Sequence, residues 1–186
     1  MPLSKIKTNS LATGAITSAV MPSGSVLQVQ YLQYTGTTTT ACANGANQTL
    51  DHLTLNITPT ATNSIIKLDA SVNGEWGNSG ALYNSVWFFY RGATKLAHAA
   101  AGSRLCGVAM TTATGYYGTN NDSTPETIYW SYLDTPSTTS QISYTVATAQ
   151  SSGGSSTWHT NMTVADTSNA YYERGISFIS ATEIAG

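Results

Sequence analysis

The chain is predicted to be all-β, an antiparallel two-sheet β-sandwich of jelly-roll kind with nine or ten strands and an extended N-terminal arm. Three observations predict it. Only 9% of the residues are charged, against about 25% in an ordinary soluble domain, so dense ion-pair networks are not available. Thr and the other β-branched residues are abundant instead, and they fit a pleated surface better than a helix. Large apolar residues recur with a period of two in segment after segment, and clusters of Gly, Pro, Asn, Asp and Ser separate those segments. With 186 residues, one domain can bury enough surface to hold together without metals or disulfides. The natural division is an arm over residues 1–23 and a sandwich over residues 24–186.

In the arm, Ile6, Leu11, Ile16 and Met21 recur every five residues, a period that matches neither a helical stripe nor a strand face. So little apolar surface does not fold alone. It is either ordered by neighbouring copies of itself or it is a disordered tail. Pro22 and Gly24 then punctuate the entry to the domain.

Residues 26–34 begin the sheet, with Leu27, Val29 and Tyr31 as the inner row and Gln28 and Gln30 outside. Residues 35–48 lack an apolar period and read as a long exposed loop. Leu53, Leu55 and Ile57 form the next inner row. Ile66, Leu68, Ala70 and Val72 then alternate with Lys67, Asp69, Ser71 and Asn73, the cleanest two-fold pattern in the chain.

A glycine-rich loop over 74–80 leads into residues 82–91, where Val86, Trp87, Phe88, Phe89 and Tyr90 are apolar in succession. Such a strand needs cover on both faces. A second layer comes either from an identical subunit, which makes these five residues oligomer-interface candidates, or from the protomer's own interior. Residues 91–94 turn the chain; 103–111 form a weak strand of small side chains, and 112–125 a loop.

Residues 128–146 are expected to organise the fold. Ile128, Trp130 and Tyr132 make one row and Ile142, Tyr144 and Val146 another, while Pro136 and the hydroxyl residues around it break the run between. This predicts a β-hairpin. Short strands follow at 158–164 and 176–184.

A net charge of −2 and a pI near 5.8 leave no basic stripe for a phosphate backbone, so nucleic acid is not an expected partner. No apolar run approaches the roughly 20 residues of a membrane span, and residues 10–20 are too often interrupted by Thr, Ser and Gly for a signal peptide. Synthesis in a cytoplasm is expected. Cys42 and Cys106 show no partner pattern; they are either a disulfide or idle thiols. His52, His98 and His159 lack metal-ligand spacing, and no metal or other cofactor is implied. Ser79 is not in an esterase elbow. The nine acids (Asp51, Asp69, Glu75, Asp122, Glu126, Asp134, Asp166, Glu173, Glu183) do not of themselves reveal the converging pair a glycosidase needs. The Asn-x-Ser/Thr triplets beginning at Asn47, Asn56, Asn121 and Asn161 are what a chain this rich in Thr and Ser contains by chance, and they are expected to be unmodified.

Recognition is the remaining class. Sugars are held by aromatic faces flanked by planar hydrogen-bonding side chains. Trp76 with Asn78, Tyr116 and Tyr117 with Asn120 and Asp122, and Trp158 with His159 are the groupings of that kind in or beside loops. A strand at 103–111 would put the Trp76 and Tyr116 loops at opposite ends of the sandwich, and its absence would put them together.

The segment LDTPSTTSQISYTV, the closing ISFISATEIAG and the opening MPLSKIKTNS with PSGSVLQVQ resemble small tail-fibre-like, receptor-binding virion structural proteins of cyanobacterial and marine bacteriophages. The resemblance is scattered over nearly the whole chain and contains no catalytic signature. It implies a non-enzymatic homotrimer in the virion, attached to tail or capsid proteins through the arm and displaying loops to a host surface glycan. A different class stays open, a capsid decoration protein that clamps neighbouring shell subunits and has no receptor. A polysaccharide-degrading tailspike fits poorly with a short chain and no solenoid repeat.

Overall fold

The computed structural model describes residues 21–111 and 123–186. These hold eleven strands and one short helix: β1 (Val26–Tyr34), β2 (Thr38–Cys42), β3 (Asn47–Ile57), β4 (Ile65–Trp76), α1 (Ser79–Tyr83), β5 (Ser85–Arg91), β6 (Thr94–Leu96), β7 (Ala109–Met110), β8 (Glu126–Asp134), β9 (Ile142–Gln150), β10 (Ser156–Thr160) and β11 (Ser177–Ile184). One sheet runs β1-β11-β4-β10-β2, with β8 also on β4; the other runs β3-β9-β5-β6, with β7 also on β5. Every pairing is antiparallel. The predicted two-layer β-sandwich is the observed one. Three features were not foreseen: β2 lies inside the expected 35–48 loop, α1 takes the junction of the expected 74–80 loop and 82–91 strand, and the expected strand at 103–111 shrinks to the two residues of β7.

Between the layers lies an apolar core built from the alternating rows. Ile66, Leu68, Ala70 and Val72 are fully buried, as their period required. Within this core the four tryptophans form one chain of ring contacts. Trp76 and Trp158, register partners on β4 and β10, have ring centroids 5.4 Å apart; Trp158 meets Trp87 at 4.8 Å, and Trp87 meets Trp130 at 5.9 Å. Edge and tilted contacts of this kind suit the charge distribution of aromatic rings. Gly74 makes room for them, since a Cβ there would lie 2.1 Å from the His159 carbonyl oxygen and 2.7 Å from the Trp158 ring.

The segment expected to be a hairpin is a crossover between sheets. β8 pairs with β4 in one layer, while β9 pairs with β3 and β5 in the other. Both inward rows face the same core from opposite sides, so the alternation is right and the partner was not. Asp134 holds the crossover: its carboxylate accepts two hydrogen bonds from the Arg91 guanidinium (2.8 and 3.0 Å) and one from the Tyr144 hydroxyl (2.6 Å). The end of β8 is thereby tied to β5 and β9 across the sandwich.

A second correction concerns β1. Its register on β11 shifts between Val26 and Gln28, and a shift of one residue sends each side chain to the other face. Leu32 and Tyr34 pack on the core, whereas Val29 and Tyr31 are each 55% exposed. Gln28 turns to the buried Glu183, donating a 2.6 Å hydrogen bond.

The third correction is to the doubly apolar strand. Trp87 and Phe89 enter the inter-sheet core; Val86 and Phe88 point outward with Ala147 and Ala149, and Tyr90 packs beside them. Their cover comes from the same chain. Residues 97–108 fold back over this face, bringing Ala97, Leu105 and Val108 onto it, and the Val108 amide donates to the Trp87 carbonyl at 2.7 Å. Gly107 lies so close that a Cβ would come within 2.7 Å of Val86 Cβ. Val86 and Phe88 are therefore 6% and 0% exposed within one protomer, and residues 86–89 are not available to a second copy, while Tyr90 is half-buried.

Candidate functional site

Of the glycan-binding candidates named from the sequence, Trp76, Asn78 and Trp158 are structural. Trp76 and Trp158 are 1% and 0% exposed, locked in the tryptophan cluster, and offer no ring face to a ligand. Asn78 is the N-cap of α1: its side-chain oxygen accepts from the Ala81 amide at 2.7 Å, the usual work of Asn in that position. His159 is half-buried between the Glu75 and Thr39 register positions, and burial lowers its pKa while the charges of Glu75 and Asp166 act the other way. Tyr116, Tyr117, Asn120 and Asp122 lie outside the described residues, as do Ile6, Leu11 and Ile16. Met21 lines a pocket of about 390 Å³ with Leu27, Thr60 and Ala185 at the end of the sandwich that holds the last residues of β11. Cys42 and Cys106 are free thiols; burial pushes the Cys42 thiol up to about 11.

The outer face of the six-stranded sheet is the surface that sequence reasoning missed. Across β1, β11, β4 and β8 the register sets three rows: Val29, Thr182, Lys67 and Leu133; Tyr31, Ser180, Asp69 and Ser131; Gln33, Phe178, Ser71 and Tyr129. Leu133 is 62% and Tyr129 60% exposed. Tyr31 stacks on Phe178 with centroids 5.4 Å apart. Two apolar clusters thus flank a central polar strip whose groups satisfy one another: Lys67 Nζ meets Asp69 Oδ2 at 2.9 Å, and the Tyr129 hydroxyl donates to Asp69 Oδ1 at 3.0 Å. The accepting Asp69 carboxylate holds the Tyr129 phenol above its ordinary pKa. Strands lie about 4.8 Å apart, so the face is roughly 15 Å wide. Its signal was present in the alternate positions Tyr129, Ser131 and Leu133 of the β8 row.

Two carboxylates do come together, Glu75 on β4 and Glu126 at the start of β8, whose register partner is Gly74. Glu75 accepts from the Thr124 amide (3.0 Å) and hydroxyl (2.8 Å) and from the Val164 amide (2.7 Å). Both Glu126 oxygens are buried without a hydrogen-bond partner, and burial, then the charge of Glu75, pushes its pKa up to about 8. Glu75 thus fastens two loops, while the Glu126 oxygens are closed to solvent and in this geometry are not presented to a substrate.

No family model matches the chain, and no curated protein matches it. Among solved structures, it is similar to the VP2 subviral particle of infectious bursal disease virus, with 14% identity and a TM-score of 0.41 over 84% of this chain and 41% of that one. A second is the structure of infectious bursal disease virus Gx strain, with 14% identity and a TM-score of 0.37 over 87% and 42%. The chain spans about two fifths of the length of these chains.

Proposed function

We infer that the chain is a non-enzymatic virion structural protein, a trimeric fibre-tip-like module that attaches to the particle through residues 1–23 and meets host surface glycan. The observation that carries this reading is the outer face of the six-stranded sheet. An exposed face that carries large apolar side chains in clusters, with polar groups between them, marks an interaction site. Val29, Tyr31, Tyr129 and Leu133 make such a surface here, with Phe178 beneath Tyr31.

Its occupant is a second copy of the chain. Lys67 and Asp69 neutralise each other within the face, so like surfaces meet without charge repulsion, and three flat faces can wall an axis as a triangular prism. Each protomer keeps its other sheet turned outward, toward the host. The sequence segments that resemble phage fibre-tip modules support the same setting.

Purified protein should adhere to host cells and should not bind bare capsids of the parent particle. Tight binding to capsids, with a rise in their heat resistance and no binding to cells, would replace this reading with capsid decoration. Release of reducing sugar from host envelope would replace it with an enzyme.

A further inference from the structure

The outer face of the second sheet carries a pocket of about 340 Å³ between the covering segment 97–108 and the start of β3, lined by Asn47, Lys95, His98, Ser103 and Arg104 among others. Its charges are one-sided. Among the described residues, the other lysine and arginine side chains are each engaged by a carboxylate: Lys67 by Asp69, Arg91 by Asp134 and Arg174 by Asp166. Lys95 and Arg104 are not, and both line this one pocket, into which no described Asp or Glu reaches. Lys95 is half-buried; its Nζ sits 3.9 Å above the Phe88 ring and donates only to the Asn47 carboxamide at 3.1 Å. Arg104 Nη1 donates to the Ala101 carbonyl at 3.2 Å, and the exposed His98 sits beside it in the lining.

We propose that this pocket binds one acidic sugar unit, a uronate or sulfated ring, of the glycan that the chain recognises. The proposal rests on the glycan half of the reading above. Folding has already stripped Lys95 of part of its water, and burial lowers its pKa accordingly; an anion placed against it recovers the lost interaction without a fresh desolvation cost to the cation. Arg104 supplies the planar fork that suits a carboxylate or sulfate. Asn47 and Ser103 offer neutral partners for ring hydroxyls. The volume suits one ring, since small-ligand pockets run from about 300 to 1,000 Å³. Two cations at one point on a chain of net charge −2 match a single anionic group better than an evenly charged polyanion.

The probes are an oligouronate, the same oligosaccharide with its carboxyls reduced to neutral alcohols, and a glutamate peptide of equal charge, each titrated calorimetrically into the full chain, R104Q, K95M and the control R174Q. The oligouronate should bind at least about tenfold more tightly than the neutral sugar and the peptide. R104Q and K95M should each weaken it by about tenfold or more, R174Q should leave it unchanged, and higher salt should weaken it. R104Q and K95M should keep the parent's unfolding midpoint to within a few degrees. Equal affinity for acidic and neutral sugars, binding that survives in R104Q and K95M, or tighter binding of the peptide would overturn the proposal. Host-cell adhesion that is indifferent to both variants would overturn it while leaving the fibre-tip reading intact. Oligouronate binding that both variants abolish, in a protein that ignores host cells, would uphold the pocket and remove that reading.

Discussion

A carboxylic acid whose oxygens are both buried without a donor stays protonated where an exposed one would be ionised, and Glu126 is in that position, with its pKa pushed up to about 8 from an ordinary 4.5. In the unfolded chain it ionises near 4.5. Between those two values the folded state holds the extra proton, so stability falls as pH rises through this window and levels off above it. Glu183 works in the opposite sense. Burial alone would raise it, but Ser64, Gln28 and the amide and hydroxyl of Thr60 all donate to its carboxylate and together hold its pKa below the ordinary value. Its contribution is present above pH 4.5 and is lost as pH falls through the lower folded value. Glu126→Gln should flatten the decline between pH 4.5 and about 8. The variant should gain on the order of 1 kcal/mol over the parent at pH 8.5, a figure reduced for the partial exposure of the side chain, and change little at pH 4.5. Urea midpoints at the two pH values measure it. A variant that loses as much at pH 8.5 as at pH 4.5 would mean that the carboxyl is needed for its shape and not troubled by its charge.

At the scale of elements, β5 is the test case, because its outer face is closed by the chain's own residues 97–108. Phe88→Ala removes a fully buried ring and should cost about 3–5 kcal/mol. The loss should be the same at every protein concentration, since no second copy supplies the cover; a loss that grows with concentration would restore β5 to an interface. How much of this was legible follows from what a two-residue period encodes. It names the face a side chain takes, as it did for Ile66 to Val72 and for Ile128, Trp130 and Tyr132. It does not name the neighbouring strand: the rows of β8 and β9 satisfy a hairpin and a crossover equally, and only the pairing of β8 with β4 and of β9 with β3 and β5 separates them. The period also loses its phase at a bulge, which is why Val29 and Tyr31 were placed inside. Trp76 and Trp158 looked loop-borne because Gly74 and Gly77 flank one and Gly153 and Gly154 precede the other. Those glycines partly serve packing, for Gly74 is where the Trp158 ring lies.

For the whole molecule, the question is whether the flat face of the larger sheet is solvated or shared, and Leu133 decides it with one substitution. It stands at the β8 side of the row that begins with Val29 and is 62% exposed in the protomer. A glutamate there stays in water as long as the chain is alone, so Leu133→Glu should leave the protomer's own stability within about 0.5 kcal/mol of the parent, the usual range for surface changes. Between copies the same glutamate would be buried on an apolar surface with Lys67 already committed to Asp69. An unpaired charge in that setting costs several kcal/mol, and every 1.4 kcal/mol is a tenfold loss of affinity. At roughly 10 µM, a concentration at which a specific interface of about 800 Å² per partner is ordinarily filled, the parent should sediment as an assembly and L133E as single copies with an unchanged far-ultraviolet dichroism spectrum. A parent that sediments as a single copy would leave this face to another virion protein, and an L133E assembly as tight as the parent's would place the contact between copies elsewhere on the sandwich.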